Sequence, residues 1–286
     1  MSIAYLNGSF TPLSEAKISP MDRGFLFGDG VYEVIPCYEG QLVAMPYHLE
    51  RLNHSLSGIA LTSPHSEADL LEMLLTLVQK NGGGNLGVYL QITRGPTMKR
   101  QHAFPEHCQP TVFAYTFPIG EPSDGSTNTA SCFTAVTKPD KRWERCHIKS
   151  TALLGNVLHM MEAVEDGAEE VLLFNEREEL TEAAACNVFI VSGGAILTPE
   201  LDHQILPGVT RRQCIELLQR YTDWTIETRP VHLEEVLKAE EIWLSSSTKE
   251  LAPVVKLNGV AINEGVPGPR WEAAQSLFQQ YRFSDF

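Results

Sequence analysis

Apolar and polar positions alternate with period two in several short stretches and recur every three to four residues in others. The chain therefore mixes strands and helices. "IAYLNGSFTPL" alternates around Asn7-Gly8, which predicts a hairpin. "VYEVIPCYEGQLVAM" predicts two more strands around Glu39-Gly40, with Pro36 at an edge or a bulge because it cannot donate to a ladder. Residues 46–59 place Leu49, Leu52, Leu56 and Ile59 at helical spacing, and Pro46 suits a first turn. A stronger helix starts after Ser66 and stops at Gly82. "LGVYLQIT" and "PTVFAYTF" are strands rich in β-branched and aromatic residues. In the second half "CFTAV", "EVLLFN", "NVFIVSGGAILTP" and "EIWLSSS" read as strands, with Gly193-Gly194 turning a hairpin. "TRRQCIELLQRY" reads as a helix entered through "LPGV". Another helix follows Lys149, with Leu153, Leu154, Val157, Met160, Met161 and Val164 on one side, expected to be buried, and Gly167 at its end. Strict β-α-β alternation is missing, so the expected class is α+β.

"PIGEPSDGST" concentrates turn residues and acids, and marks a linker. The expected organisation is an N-terminal domain over 1–118, a linker over 119–126 and a C-terminal domain over 127–286. A formal charge of −14 argues against a nucleic-acid partner, which needs a basic face. It also implies that an anionic substrate is held by local arginines rather than by the overall field. Six cysteines at wide, irregular spacing indicate neither a zinc site nor a disulfide framework. The opening stretch lacks the features of a secretory leader, and no apolar run reaches spanning length, so a cytoplasmic protein with no membrane association is expected.

Five stretches carry candidate chemistry. In "KRWERCHIKSTALLGN", Lys149 stands between a basic segment and an apolar helix. Desolvation disfavours an ammonium, and a neutral amine attacks aldehydes to form a Schiff base. Alone, Lys149 is an ordinary boundary lysine. In "ELTEAAACNVFIV", Glu182 precedes small residues and a buried strand. A carboxylate there suits the ring nitrogen of a pyridine cofactor, or simply a turn. "ILPGVTRRQ" sets a glycine turn before a helix opening near Thr210, which presents free N–H groups to a phosphate or a plain N-cap. In "LSSSTKE", Ser247 and Thr248 offer hydroxyls, and in "HLERL" Arg51 offers a guanidinium. Together they form the set of parts that pyridoxal phosphate needs.

In this order along the chain, "RGFLFGDGVYEV", "HLERL", "IKSTALLGNVL", "LTEAAACNVFIV", "ILPGVTR" and "SSSTKELAPV" resemble the class IV aminotransferases, the fold-type IV family of pyridoxal phosphate enzymes. The resemblance implies a two-domain α+β enzyme with its active site in the interdomain cleft. It implies Lys149 as the Schiff-base lysine, Glu182 as partner of the pyridine nitrogen and Arg51 as phosphate ligand. Val209, Thr210, Ser247 and Thr248 match the remaining phosphate positions, and Leu206 matches the residue that packs on the ring. Ala183 to Ala185 stand where the family often has glycine or serine.

Within the family, "FGDGVYEV" and "RGPTMKRQHAFPE" resemble the D-amino-acid aminotransferases. That resemblance implies that Tyr32 lines the substrate carboxylate pocket, and that Arg100 and His102 bind the carboxylate from a loop that reaches the neighbouring subunit of a homodimer. A guanidinium fork suits a planar carboxylate. The stretch from Arg94 to Arg100 is one residue longer than the usual pattern and carries Lys99 where proline is common. The implied reaction is ping-pong transfer of an amino group from a D-amino acid to a 2-keto acid such as 2-oxoglutarate or pyruvate, with no metal. Branched-chain L-amino-acid or (R)-amine transamination stays open, as does the lyase reaction of the aminodeoxychorismate lyases.

Overall fold

The computed structural model describes residues 2–284. The chain divides into two units. One comprises 1–121 with 148–153, and the other comprises 122–147 with 154–286.

In the first unit, Asn7 and Gly8 take the left-handed backbone (φ 48° and 96°) that closes β1 (Ile3–Leu6) on β2 (Ser9–Pro12). There follow α1 (Arg23–Phe27), β3 (Gly30–Tyr38), β4 (Gln41–Leu42), α2 (Met45–Gly58), α3 (Glu67–Lys80), β5 (Leu86–Thr93) and β6 (Thr111–Pro118). Among the described residues they build an antiparallel sheet in the order β2-β1-β6-β5-β3-β4. Alternation along the strands splits its two faces. Val31, Ile35, Val88, Leu90, Ile92, Val112 and Ala114 pack in one cluster with leucines of α2 and α3. The opposite face carries a row of aromatic rings, Tyr32, Tyr89, Tyr115 and Phe113, with neighbouring centroids 5.2–5.6 Å apart.

Local chemistry sets the ends of these elements. Ser66 and Asp69 form a reciprocal capping box at the start of α3. Pro36 lies within β3 and pairs with Gly87 of β5, but its carbonyl accepts from Val43 N on the other side. The missing N–H faces that side, beyond the two-residue pairing of β4. The short helix α1 was not signalled by periodicity. Asp22 caps it, accepting from Gly24 N and from the hydroxyls of Thr93 and Thr111. Gly24 lies so close to Thr93 that a Cβ would overlap the Thr93 side chain. This contact docks α1 against the end of β5.

The second unit contains β7 (Phe133–Pro139), α4 (Leu154–Glu165), β8 (Glu170–Phe174), β9 (Leu180–Ala183), β10 (Asn187–Ser192) and β11 (Ala195–Thr198). It continues with α5 (Val209–Tyr221), β12 (Ile226–Thr228), α6 (Leu233–Leu237), β13 (Glu241–Ser246), β14 (Glu250–Leu257), β15 (Val260–Ala261) and α7 (Pro269–Tyr281). Its mixed sheet runs β12-β11-β10-β13-β14-β7-β8-β9, with β15 paired to β14. Pairings β14–β7, β7–β8 and β11–β12 are parallel and the others antiparallel. Helices α5 and α7 cover one apolar cluster around Phe189, Trp243 and Trp271.

The helix after Lys149 differs from expectation. It starts at Leu154, and the face it buries carries His159 and Ala163. Leu154, Val157, Leu158, Met161 and Val164 are 48–70% exposed. Periodicity identified residues that share a face, but that face is open rather than packed on the sheet.

Candidate active site

Lys149 lies in the segment 148–153, which belongs to the first unit although it is far along the chain. Tyr32 N donates to Lys149 O (3.0 Å), Thr151 N donates to Gly30 O (3.0 Å), and Val31 bridges Ser150. Lys149 N donates to Ser55 Oγ on α2 (3.1 Å). The segment therefore acts as an added strand along the start of β3, and its backbone is fixed. The amine of Lys149 stands 4.3 Å from the centre of the Tyr32 ring, which brings two of the expected residues together.

Arg51 is buried on α2 and grips Glu33 with two nitrogens, Nε to Oε1 (2.8 Å) and Nη2 to Oε2 (2.6 Å). His48 Nδ1 lies 2.7 Å from Glu33 Oε2. Glu33 shares the buried face of β3 with Val31 and Ile35, so its charge must be matched there. Burial alone would raise its pKa. The charge and hydrogen bonds of Arg51, with help from His48, outweigh burial and lower it to about 2. Burial pushes His48 below its ordinary value, the Arg51 and Lys149 charges add to that, and Glu33 opposes it.

This pair makes the fold acid-sensitive. As the pH falls below 4.5 the unfolded chain protonates Glu33, while the folded chain does so only near pH 2. The stabilisation present above pH 4.5 is therefore lost as the pH approaches 2. His48 acts in the same direction, because the unfolded chain binds its proton first. Urea unfolding of wild type and Glu33→Gln is expected to show a stability gap that narrows by about 2 kcal/mol between pH 7 and pH 3. An unchanged gap would refute the assignment.

Arg100 and His102 are exposed in the loop between β5 and β6, and both stand beside Phe27 of α1. The Arg100 guanidinium carbon is 5.1 Å from the Phe27 ring centre, and the His102 ring centre is 5.4 Å from it.

In the second unit, Glu182 on β9 is buried and both its oxygens are engaged. Oε1 accepts from Arg142 Nη1. Oε2 accepts from Leu206 N (3.0 Å) and Asn187 Nδ2 (3.2 Å). Arg142 in turn grips Asp140 with Nε and Nη2 (3.0 and 2.7 Å), and Thr181 Oγ1 donates to Asp140 Oδ2 (2.7 Å). Burial raises the Glu182 pKa, while the Arg142 charge and the Leu206 N–H pull against it. Asn187 Nδ2 also donates to Leu206 O (2.9 Å), so this one amide ties the 205–208 turn to the carboxylate. Gly208 is required there, because a Cβ would overlap Asn187 Oδ1. That turn leads directly into α5, whose cap Gly208 supplies no side-chain acceptor. Its first N–H groups, around Val209 and Thr210, are thus suited to an anion. Ser247 and Thr248 form the turn between β13 and β14.

Glu33, His48, Asp140, Arg142 and Asn187 were not singled out from the sequence. A charge at a buried position of "VYEVI" was the available signal for Glu33. Arg142 carried none for its role at Glu182, since that pairing spans 40 residues.

The chain belongs to the class IV aminotransferases. The model of that family, amino-transferase class IV, matches residues 30–257. Pyridoxal phosphate is the cofactor of the family. The chain is 37% identical over 279 residues to the D-alanine aminotransferase of Bacillus licheniformis, covering 98% of this chain and 96% of that protein. It is 36% identical over 282 residues to the D-alanine aminotransferase of Staphylococcus haemolyticus, covering 98% of each. The fold is also that of the branched-chain amino acid aminotransferase of Escherichia coli, with a TM-score of 0.90, 22% identity and coverage of 98% of this chain and 94% of that one. The branched-chain aminotransferase of Thermoproteus uzoniensis gives 0.86 at 22% identity, covering 99% and 95%.

Proposed function

We propose that this aminotransferase moves the amino group of a D-amino acid to a 2-keto acid, in two half-reactions on pyridoxal phosphate. Its full-length likeness to two D-alanine aminotransferases supports the choice of substrate. The observation that carries the chemistry is the buried Glu182 carboxylate, held by Arg142, Asn187 and the Leu206 N–H. Such a carboxylate fits a protonated ring nitrogen and nothing apolar.

When bound, pyridoxal phosphate supplies an electron sink for the pair left when the substrate Cα loses its proton. Glu182 holds the proton on the ring nitrogen. Lys149 would hold the cofactor through its amine and would move the substrate Cα proton as general base and acid. Arg51, its guanidinium held by Glu33, and Val209, Thr210, Ser247 and Thr248 would orient the phosphate. Leu206 would pack against the ring. Tyr32, Arg100 and His102 receive the substrate carboxylate. A homodimer is part of this reading, because the apolar stripe Leu154, Val157, Leu158, Met161 and Val164 is too large a run to leave in water. A cytoplasmic setting suits the irregularly spaced cysteines, which are free thiols among the described residues. Among those residues no helix is long and apolar enough to cross a membrane.

The test follows the visible absorbance of the bound cofactor while D-alanine, L-leucine or an (R)-amine is added separately, without keto acid. Conversion to the aminated cofactor by D-alanine is the expected result. Conversion mainly by L-leucine or the (R)-amine would overturn the substrate assignment and keep the transaminase.

A further inference from the structure

The backbone of the loop that carries Arg100 and His102 is read by one buried side chain. Arg23 donates from Nη1 to Gln101 O (2.6 Å) and Ala103 O (3.4 Å), and from Nη2 to His102 O (3.1 Å). Its Nε is held by Asp29 Oδ2 at 2.6 Å. Three successive carbonyls thus converge on one guanidinium, whose planar fork fixes direction as well as distance. The fork is itself fixed. Arg94 binds both oxygens of Asp29 (2.9 and 3.1 Å) and donates to Ile59 O and Ala60 O (2.5 and 3.2 Å). The Phe104 ring, two residues beyond His102, lies 3.6 Å over the Arg94 guanidinium. Phe27 sits 4.8 Å from the Arg23 guanidinium carbon and supports the side chains of Arg100 and His102.

We infer that Arg23 is a positioning residue for substrate-carboxylate recognition: it holds the 101–103 backbone so that Arg100 and His102, on either side of Gln101, present their side chains together. Arg23 uses its donors on the loop and on Asp29, and acts on substrate only through the loop. The inference rests on the proposed carboxylate role of that loop. It assigns a function to the arginine of "DRGFLFGDG" and accounts for a buried cation that the proposed chemistry does not otherwise use.

The holoenzyme is compared with Arg23→Gln and Arg23→Lys. Lysine keeps the charge opposite Asp29 but gives up the fork, which guards against a simple folding failure. Two readouts are taken, amide hydrogen exchange of the 98–106 peptide and steady-state kinetics with D-alanine. Exchange in that peptide is expected to rise at least tenfold in both variants, with KM for D-alanine up tenfold or more and kcat within threefold. Unchanged exchange overturns the clamp, and so does a kcat loss at constant KM. Arg100→Ala separates the two ideas. If it leaves KM for D-alanine unchanged, the carboxylate role of the loop fails, while exchange in the Arg23 variants still decides the clamp.

Discussion

Lys149→Ala is expected to lower the turnover of D-alanine by about 10⁴-fold or more, because in the proposed reaction one substitution removes both the covalent anchor and the proton carrier. The change leaves the backbone contacts to Tyr32, Gly30 and Ser55 in place, since these run through main-chain atoms of 149–151. The variant should therefore fold and bind cofactor. A small amine such as methylamine, added to the assay, should restore part of the rate. Continuous turnover by Lys149→Ala without added amine would remove this lysine from the reaction. A melting temperature more than a few degrees below wild type would contradict the backbone argument.

The second large effect concerns Glu182→Gln. A carboxamide has one accepting end and one donating end. One oxygen of Glu182 now accepts from Arg142, and the other accepts from Leu206 N and Asn187 Nδ2. Whichever way the glutamine turns, an NH2 meets a donor, in a buried place where an unmade bond costs about 1–3 kcal/mol. The amide also carries no charge to keep a ring nitrogen protonated. We expect a fall in kcat of about 10²–10³-fold, of the order seen when one preorganised electrostatic contact is removed, together with a lower melting temperature. Activity within fivefold of wild type would show that ring protonation does not depend on this carboxylate. Glu182→Ala should be less stable still, because Arg142 would lose one of its two carboxylate partners in a buried position and keep Asp140 and the Gln204 carbonyl.

Much of the fold could be read from the chain because its signals are local. The Asn7-Gly8 turn, the Ser66 cap and the leucine period of α2 each lie within a few residues of the element they define. The five-residue helix α1 escaped because it is too short to show a period, and its cap draws on Thr93 and Thr111, which are distant in sequence. The helix α4 was seen, but its apolar stripe lies open on the single chain rather than against the sheet. Hydrophobic spacing says which residues travel together and is silent on what covers them. The candidate site was legible only as an ordered set of motifs, since Lys149, Glu182 and Arg51 each have an ordinary alternative. The residues that support them, Glu33 beneath Arg51 and Arg142 beside Glu182, depend on pairings across 18 and 40 positions that no local pattern encodes.

The splicing of 148–153 onto the edge of β3 limits how this enzyme can be recombined. A chimaera that exchanges the first 121 residues for those of another transaminase would replace the strand on which Lys149 lies while keeping the old lysine segment. The crossover would then cut through Tyr32–Lys149 and Gly30–Thr151, two hydrogen bonds that belong to one sheet. A recombination library therefore gains viable members when the hexapeptide 148–153 is inherited with the N-terminal block, as a second insert taken from the same parent.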